Sequence, residues 1–140
     1  MFRLVKILNG RINQGEPVRL PSTEDEIYTL GEALVLKGGK LTKCDDTEMP
    51  THMCCEDYES SEKTGYRDII AEPISAEMIF EVAFSASPAD INDINDINVG
   101  DKVTLADGVK VTATTASGVA TIFDKCGASA PGDKCLVQFK

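Results

Sequence analysis

The chain has no tryptophan, and aromatic residues make up only 6% of its 140 residues, although 42% are hydrophobic. Its core must therefore be built mainly from Val, Ile, Leu and Ala. So few aromatic rings leave little surface for stacking on sugars, which argues against a glycosidase. A chain of this length buries roughly two-thirds of its unfolded surface. We therefore expect one domain that folds without a metal or disulfide framework.

Positive charge is scarce, since the formal net charge is −9. Affinity for nucleic acid comes mainly from clustered Lys and Arg, which release counterions from the phosphate backbone. We therefore expect no direct nucleic-acid partner and no binding to anionic membranes.

Long apolar runs are also missing. No stretch approaches the eighteen or more residues of a membrane span, and the start, MFRLVKILNGR, lacks the apolar core of a signal peptide. The five cysteines are an odd number, which together with the missing signal favours reduced thiols and synthesis in a cytoplasm.

Metal-ligand spacing is weak. His52 is the one histidine, and with Cys44, Cys54 and Cys55 it forms the single cluster of soft ligands, but there is no Cys-x-x-Cys pair. Adjacent Cys54 and Cys55 would point to opposite faces of a strand, which disfavours a shared zinc ion. We expect free thiols here and no cofactor, and Cys126 with Cys135 as free thiols flanking a loop.

Catalytic patterns are equally weak. A thiolate–imidazole pair of Cys54 and His52 is conceivable, but no third residue that would orient the histidine is recognisable. The abundant carboxylates lie in turn-like polar runs that are typical of a solvated surface, and no glycine-rich phosphate loop is present. The sequence therefore predicts that the protein is not an enzyme.

Short apolar runs separated by turn residues dominate what is present. EALVLK–GG–KLTKC predicts a hairpin, THMCC and IIAEPI predict strands, and EDYESSEKTGYRD predicts an acidic loop. In EMIFEVAFS, Met78, Phe80, Val82 and Phe84 should share one face of a strand. This pattern, repeated in the Val- and Thr-rich C-terminal part, predicts an all-β fold: a small sandwich or barrel of short antiparallel strands with at most one short helix.

The tandem triplets in ADINDINDINVG do not fit a calcium loop, because position 5 counted from Asp90 is Ile94 and no Gly or Glu follows where one is needed. A period of three puts Ile91, Ile94 and Ile97 roughly on one helical face, after a possible start at Ser87 and Pro88. The segment predicts a short helix or ordered connector, with an irregular loop and a cation site as alternatives.

The first 22 residues predict a hairpin followed by an extended arm, with residues 23–140 as a single β domain. RLVKIL–NG–RI has the sequence of a hairpin with a tight turn over residues 3–12. Pro17 and Pro21 make a central strand improbable in the stretch that follows.

Several of these segments, taken in order, carry a resemblance. GEALVLKGGKLTKCDDTEMPTHM, then GDKVTLADGVKVTATTASGVATIF and GDKCLVQF, resemble the head decoration, or capsid cement, proteins of tailed bacteriophages. The likeness covers most of the chain after Tyr28, and the ILNGR start also fits. The DIN triplets depart from it, because a shorter connector is expected there.

The resemblance implies a structural virion protein. It would be made in the bacterial cytoplasm and bind the major capsid protein on the exterior of an expanded head, often near threefold positions, as a homotrimer or beside lattice neighbours. The contact would come from the N-terminal arm, which could add a strand to a neighbouring sheet. Its contact residues would be Phe2, Leu4, Ile7, Pro17, Leu20 and Pro21.

Three alternatives remain at this point. The hairpin could instead close the protein's own sheet. The protein could be a small β-rich module that binds carbohydrate or a host surface, or a zinc- or thiol-dependent protein centred on His52, Cys54 and Cys55.

Overall fold

The computed structural model describes residues 1–8, 16–86 and 93–140. These residues form short strands, numbered in chain order: β1 (Arg3–Ile7), β2 (Val18–Pro21), β3 (Ile27–Tyr28), β4 (Ala33–Lys37), β5 (Lys40–Lys43), β6 (His52–Cys54), β7 (Tyr58–Glu59), β8 (Asp68–Pro73), β9 (Met78–Ala83), β10 (Lys102–Val103), β11 (Leu105–Ala106), β12 (Lys110–Val111), β13 (Ala120–Asp124) and β14 (Lys134–Phe139). A 3-10 helix spans Ile94–Asp96. The predicted all-β class is confirmed.

The first sheet has the strand order β1-β9-β14-β13-β10, and all its neighbours are antiparallel. Met78, Phe80, Val82 and Phe84 are all buried in the main core, as the alternation in β9 predicts. Irregularities in register occur in β1, between Leu4 and Lys6, and in β13, between Ile122 and Asp124.

The second sheet has the order β2-β8-β6-β4-β5 and curls until its two edges meet. Ser22, just after β2, bridges Leu41 of β5, and the Thr23 N–H donates to the Leu41 carbonyl at 3.2 Å. The curled sheet encloses a second, smaller cluster: Tyr28, Leu34, Leu41, Cys54, Ile69 and Ala71.

Strand β4 is apolar along most of its length because both of its faces are covered. Ala33 and Val35 join the main core between the two sheets, whereas Leu34 joins the smaller cluster. Its hairpin with β5 is confirmed, and Gly38 and Gly39 in the turn have φ of 55° and 81°. A tight turn of this hand needs positive φ at both central residues, which glycine adopts without steric cost.

An ion pair that the sequence pattern does not predict joins Glu32, just before β4, to Lys43 at the end of β5. The Glu32 side chain is only 2% exposed, and its Oε1 lies 3.0 Å from Lys43 Nζ, while Oε2 accepts from the Thr29 N–H at 2.9 Å. The next residue, Ala33, donates its N–H to the carbonyl of Gly108 in the β11–β12 turn. The Ala33 N–H, next to the ion pair, thus joins that turn to the second sheet.

The DIN segment forms one 3-10 turn where it is described. Ile94 and Ile97 are buried in the main core, and the Asp93 carboxylate caps the turn by accepting from the Asn95 N–H at 3.1 Å. The described residues do not include the predicted helix start at Ser87 and Pro88, nor Asp90 and Ile91 of the first triplet.

The predicted acidic loop is only partly a loop. Tyr58 and Glu59 form β7, which pairs with β3 at Ile27 and Tyr28. Two-residue strands carry too little periodicity to be recognised from sequence. Their pairing makes a small two-stranded sheet, and Tyr28 and Tyr58 from it pack on the smaller cluster.

The predicted N-terminal arm packs on the body. β1 pairs with β9 at the edge of the first sheet, and β2 pairs with β8 at an edge of the second. The edge position of β2 agrees with its prolines, which cannot donate to a ladder. The predicted turn at Asn9 and Gly10, and the second hairpin strand, lie outside the described residues. Where the first 22 residues are described, β1 and β2 thus both pair with strands of residues 23–140.

Candidate interaction surface

The apolar residues predicted to anchor a partner are directed into the protein itself. Phe2 is 3% exposed and stacks in the main core. Leu4 and Ile7 are half-buried against the same core, and Leu20 is half-buried against the smaller cluster. β1 thus packs as the alternative prediction describes: it extends the protein's own sheet by pairing with β9. Of the six predicted contact residues, Pro17 and Pro21 are exposed.

Other apolar side chains along the first strand are exposed instead. Met1, Val5 and Leu8 are 57%, 42% and 44% exposed. Val5 is the extra residue in the bulge between Leu4 and Lys6, where a bulge typically redirects a side chain. Among the described residues, β1 has a strand partner on one side only. We call residues 1–8 with these three side chains the β1 edge.

The bulge also aligns two cations. In the strand register, Arg3 lies opposite Glu81 and Lys6 lies opposite Ile79. Glu81 and Ile79 are two residues apart in β9 and share a face, so Arg3 and Lys6 also lie on one face of the sheet. The sequence alone does not predict this arrangement, because residues three apart in a regular strand point to opposite faces of the sheet.

Two further lysines extend this face across the first sheet. The strand pairing puts exposed Lys134 of β14 and Lys102 of β10 on the side turned away from the main core. Glu81 Oε1 lies 3.1 Å from Arg3 Nη2 and 2.9 Å from Lys134 Nζ. Lys134, with a smaller contribution from Arg3, lowers the pKa of Glu81. We call the four cations Arg3, Lys6, Lys102 and Lys134 the cationic face; it also holds the carboxylates of Glu81 and Asp124.

Carboxylates gather around the small β3–β7 sheet. Its strand pairing, with a hydrogen bond of 2.8 Å from the Ser60 N–H to the Glu26 carbonyl, joins two acidic segments that are distant in sequence. Ile27 and Tyr66 are 61% and 48% exposed among them. Partial desolvation, helped by Asp25 and Glu24, raises the pKa of Tyr66. We call this surface the acidic cap; its carboxylates are Glu24, Asp25, Glu26, Asp57, Glu59 and Glu62.

A mainly apolar cleft of about 240 Å³ lies beside the start of β1. Its lining includes Met1, Leu30, Met53, Cys55 and Glu72. Burial raises the pKa of Glu72, and burial, with the Glu72 charge second, raises the pKa of Cys55.

The weak metal candidates are not brought together. Cys44 belongs to the main core and Cys54 to the smaller cluster, while Cys55, just after β6, is half-buried and lines the cleft beside β1. His52 Nδ1 is 2.8 Å from Thr51 Oγ1. Within the three described ranges, no three His, Cys, Asp or Glu side chains are grouped to hold a metal ion.

Cys54 is not placed as an activated nucleophile. Its thiol donates to the Glu56 carbonyl at 3.0 Å, and burial raises its pKa to about 11. Burial also lowers the pKa of His52. A nucleophilic thiol needs a depressed pKa, so these surroundings act in the opposite direction. Cys126 and Cys135 are both free thiols, the first exposed and the second buried.

Neither protein-family models nor curated protein sequences yield a match to this chain. In the described part of the chain, no helix is long and apolar enough to cross a membrane.

Proposed function

We propose that the protein is a decoration protein that binds the outer surface of a bacteriophage head and stabilises it. The ordered resemblance of its β segments to capsid cement proteins supports this function. Its partner is the major capsid protein of the expanded shell, and its place is the exterior of the virion.

The proposed contact with the shell is inferred from the β1 edge. The second sheet closes on itself at Ser22 and Leu41, whereas β1 has a strand partner on one side only among the described residues. An exposed strand edge is a template for another chain, which adds main-chain hydrogen bonds. Met1, Val5 and Leu8 supply exposed apolar surface along it. This contact replaces the predicted one through Phe2, Leu4, Ile7 and Leu20.

Co-sedimentation tests the function. Purified protein is mixed with expanded and with unexpanded shells of the major capsid protein from the same genome. We expect saturable binding to expanded shells. Absence of binding to both would overturn the proposal, and a glycan screen would then test the carbohydrate-binding alternative.

A matched pair of variants tests the contact separately. We expect Val5→Asp with Leu8→Asp to weaken shell binding at least about tenfold, because two carboxylates would be buried in an apolar contact. Leu36→Asp with Met49→Asp is the control. Both residues are 40% exposed, and they lie away from the β1 edge, Leu36 in β4 and Met49 in the loop between β5 and β6. Equal binding by the two double variants would exclude the β1 edge while leaving decoration itself intact.

A further inference from the structure

The cleft beside the start of β1 opens between the two sheets. On the side of the first sheet it is lined by Phe2 and Leu4 of β1 and by Phe80 of β9, which pack in or against the main core. On the side of the second sheet it is lined by Met53 of β6, which belongs to the same core, and by Glu72 of β8. The cleft is therefore an opening into the main core at the β1 end of the first sheet.

A strand that added to β1 would direct side chains into this cleft. Alternate residues of a strand lie on one face of its sheet, and neighbouring strands share that face. Leu4 lies opposite Phe80 in the register, and both are on the core side. An added strand would thus place every second side chain on the core side, next to Leu4. The Phe2 N–H already donates to the Gly31 carbonyl at 2.8 Å, so the added strand would run beside residues 4–8 and reach the cleft at its end.

The mouth of the cleft exposes apolar surface with an acidic neighbour. Met1 is 57% exposed and Leu30 is 45% exposed, and both line the cleft. Covering them would remove apolar surface from water, which favours an apolar occupant. The volume of about 240 Å³ is large enough for one leucine, methionine or phenylalanine side chain. The Asp57 carboxylate accepts from the Leu30 N–H at 2.8 Å, which places a negative charge beside this mouth.

The second carboxylate of the cleft is Glu72. It lies directly opposite Met53 in the pairing of β6 with β8, so its side chain is on the core-facing side of the second sheet. Arg3 also lines the cleft, but its Nη2 lies 3.1 Å from Glu81 Oε1, on the cationic face. Burial raises the pKa of Glu72, and a cation brought by a partner would favour the charged form. The charges at the cleft therefore complement a basic side chain.

We propose that this cleft selects the segment of the shell that adds to β1. It binds one large apolar side chain of an extended segment of the major capsid protein, and Glu72 binds a lysine or arginine on the same face of that segment. This inference rests on the proposed function and adds the residues that make the contact specific. In strand addition, main-chain hydrogen bonds supply affinity, whereas pockets for alternate side chains supply specificity. The cleft is continuous with the β1 edge, because residues 1–4 belong to both.

Binding of cleft variants to expanded shells is the first test. Leu30→Ala should weaken binding at least about fivefold and Glu72→Gln at least about threefold, because each removes one of the two recognised features. Burial of the Glu72 charge disfavours folding, so Glu72→Gln should weaken binding without weakening the fold. Leu36→Ala and Asp68→Asn are the matched controls. Leu36 is 40% exposed, Asp68 is exposed in the same strand as Glu72, and neither lines the cleft, so both controls should bind like the native protein.

Labelling of Cys55 tests where the shell makes contact. Cys55 is half-buried and lines the cleft, whereas Cys126 is exposed and lies outside it. Expanded shells should lower the rate at which N-ethylmaleimide labels Cys55, relative to Cys126, at least about fivefold, because a thiol must be accessible to react. Peptide mass spectrometry measures this ratio, and an unchanged ratio would overturn the proposal. A ratio that falls in the free protein as its concentration rises would also overturn it, because a second copy would then occupy the cleft.

The decoration function and the cleft contact fail in different ways. Native protein that binds neither kind of shell overturns decoration, and the cleft contact with it. Native protein that binds expanded shells, with Leu30→Ala and Glu72→Gln binding equally well, overturns the cleft contact alone. Circular dichroism checks that every variant is folded.

Discussion

Phe2 packs edge-on against Phe80, with ring centroids 6.4 Å apart and ring planes at 89°. Phe139 completes the group, at 5.3 Å from Phe2 and 5.6 Å from Phe80. The second residue of the chain thus joins two strands of the first sheet from inside the core. Aromatic contacts of this geometry add to the free energy gained from burial alone.

Phe2→Ala should therefore lower the free energy of unfolding by about 3 kcal/mol, because it opens a cavity and removes two aromatic contacts. Val5→Ala is the matched control on the same strand; Val5 is 42% exposed, so the loss should stay below about 1 kcal/mol. Urea unfolding followed by circular dichroism measures both. Similar small losses would mean that the start of the chain does not contribute to the core in solution.

Lys43→Met should lower the free energy of unfolding by about 2 kcal/mol, since it leaves the buried Glu32 carboxylate without its cation. The half-exposed position of Lys43 keeps the loss below that of a fully buried pair. Adding Glu32→Gln to this variant should recover part of the stability by removing the uncompensated charge. Lys37→Met is the control, because its pair with Glu48 lies at the surface, and it should leave the melting temperature almost unchanged. Equal effects of the two lysine variants would contradict a special role for the buried pair.

The cysteines should alkylate in an order set by burial. Cys126 is exposed, and partial desolvation together with Asp124 raises its pKa; burial raises the pKa of Cys44 and Cys135 to about 12 and that of Cys54 to about 11. A brief treatment with iodoacetamide near pH 8 should label Cys126 first, because the reagent can reach it, whereas burial both shields the other thiols and disfavours their reactive thiolate form. Peptide mass spectrometry reads out the order, and the same treatment in denaturant should label all sites alike. Rapid labelling of Cys135 in the folded protein would contradict the packing of β14.

Glu72→Gln should stabilise the protein at neutral pH. Burial raises the pKa of Glu72 above its ordinary value of 4.5, so ionisation is easier in the unfolded chain and favours unfolding. This cost is absent below about pH 4 and grows as the pH rises through the ordinary and then the raised pKa. The gain from Glu72→Gln should therefore vanish in acid, as thermal melts across this pH range would show.

Glu56 provides a comparison of opposite sign. A hydrogen bond from Arg67 is the main cause that lowers the pKa of Glu56, so its stabilising contribution is present above about pH 4.5 and is lost as the pH falls. Glu56→Gln should thus destabilise the protein at neutral pH and have less effect in acid. Parallel pH profiles for the two variants would contradict these assignments.

The alternation of apolar and polar residues predicted most strands of the two sheets, because the side-chain period of a strand depends only on local backbone geometry. Strand β9, with its buried series from Met78 to Phe84, and the hairpin around Gly38 and Gly39 follow directly from side-chain period and turn chemistry. The interaction surfaces could not be predicted in this way. The β1 bulge alters which side chains share a face, and the two-residue strands β3 and β7 leave no pattern in the sequence.

The sequence by itself determined the all-β class, the turns and the overall negative charge, because these depend on neighbouring residues and on composition. Only the tertiary structure decided that Phe2 is a core residue and Val5 an exposed one, that Glu32 meets Lys43, and that distant acidic segments form one surface. Those relationships arise from pairing between strands far apart in the chain, whose register depends on how whole sheets pack and not on any local run of residues.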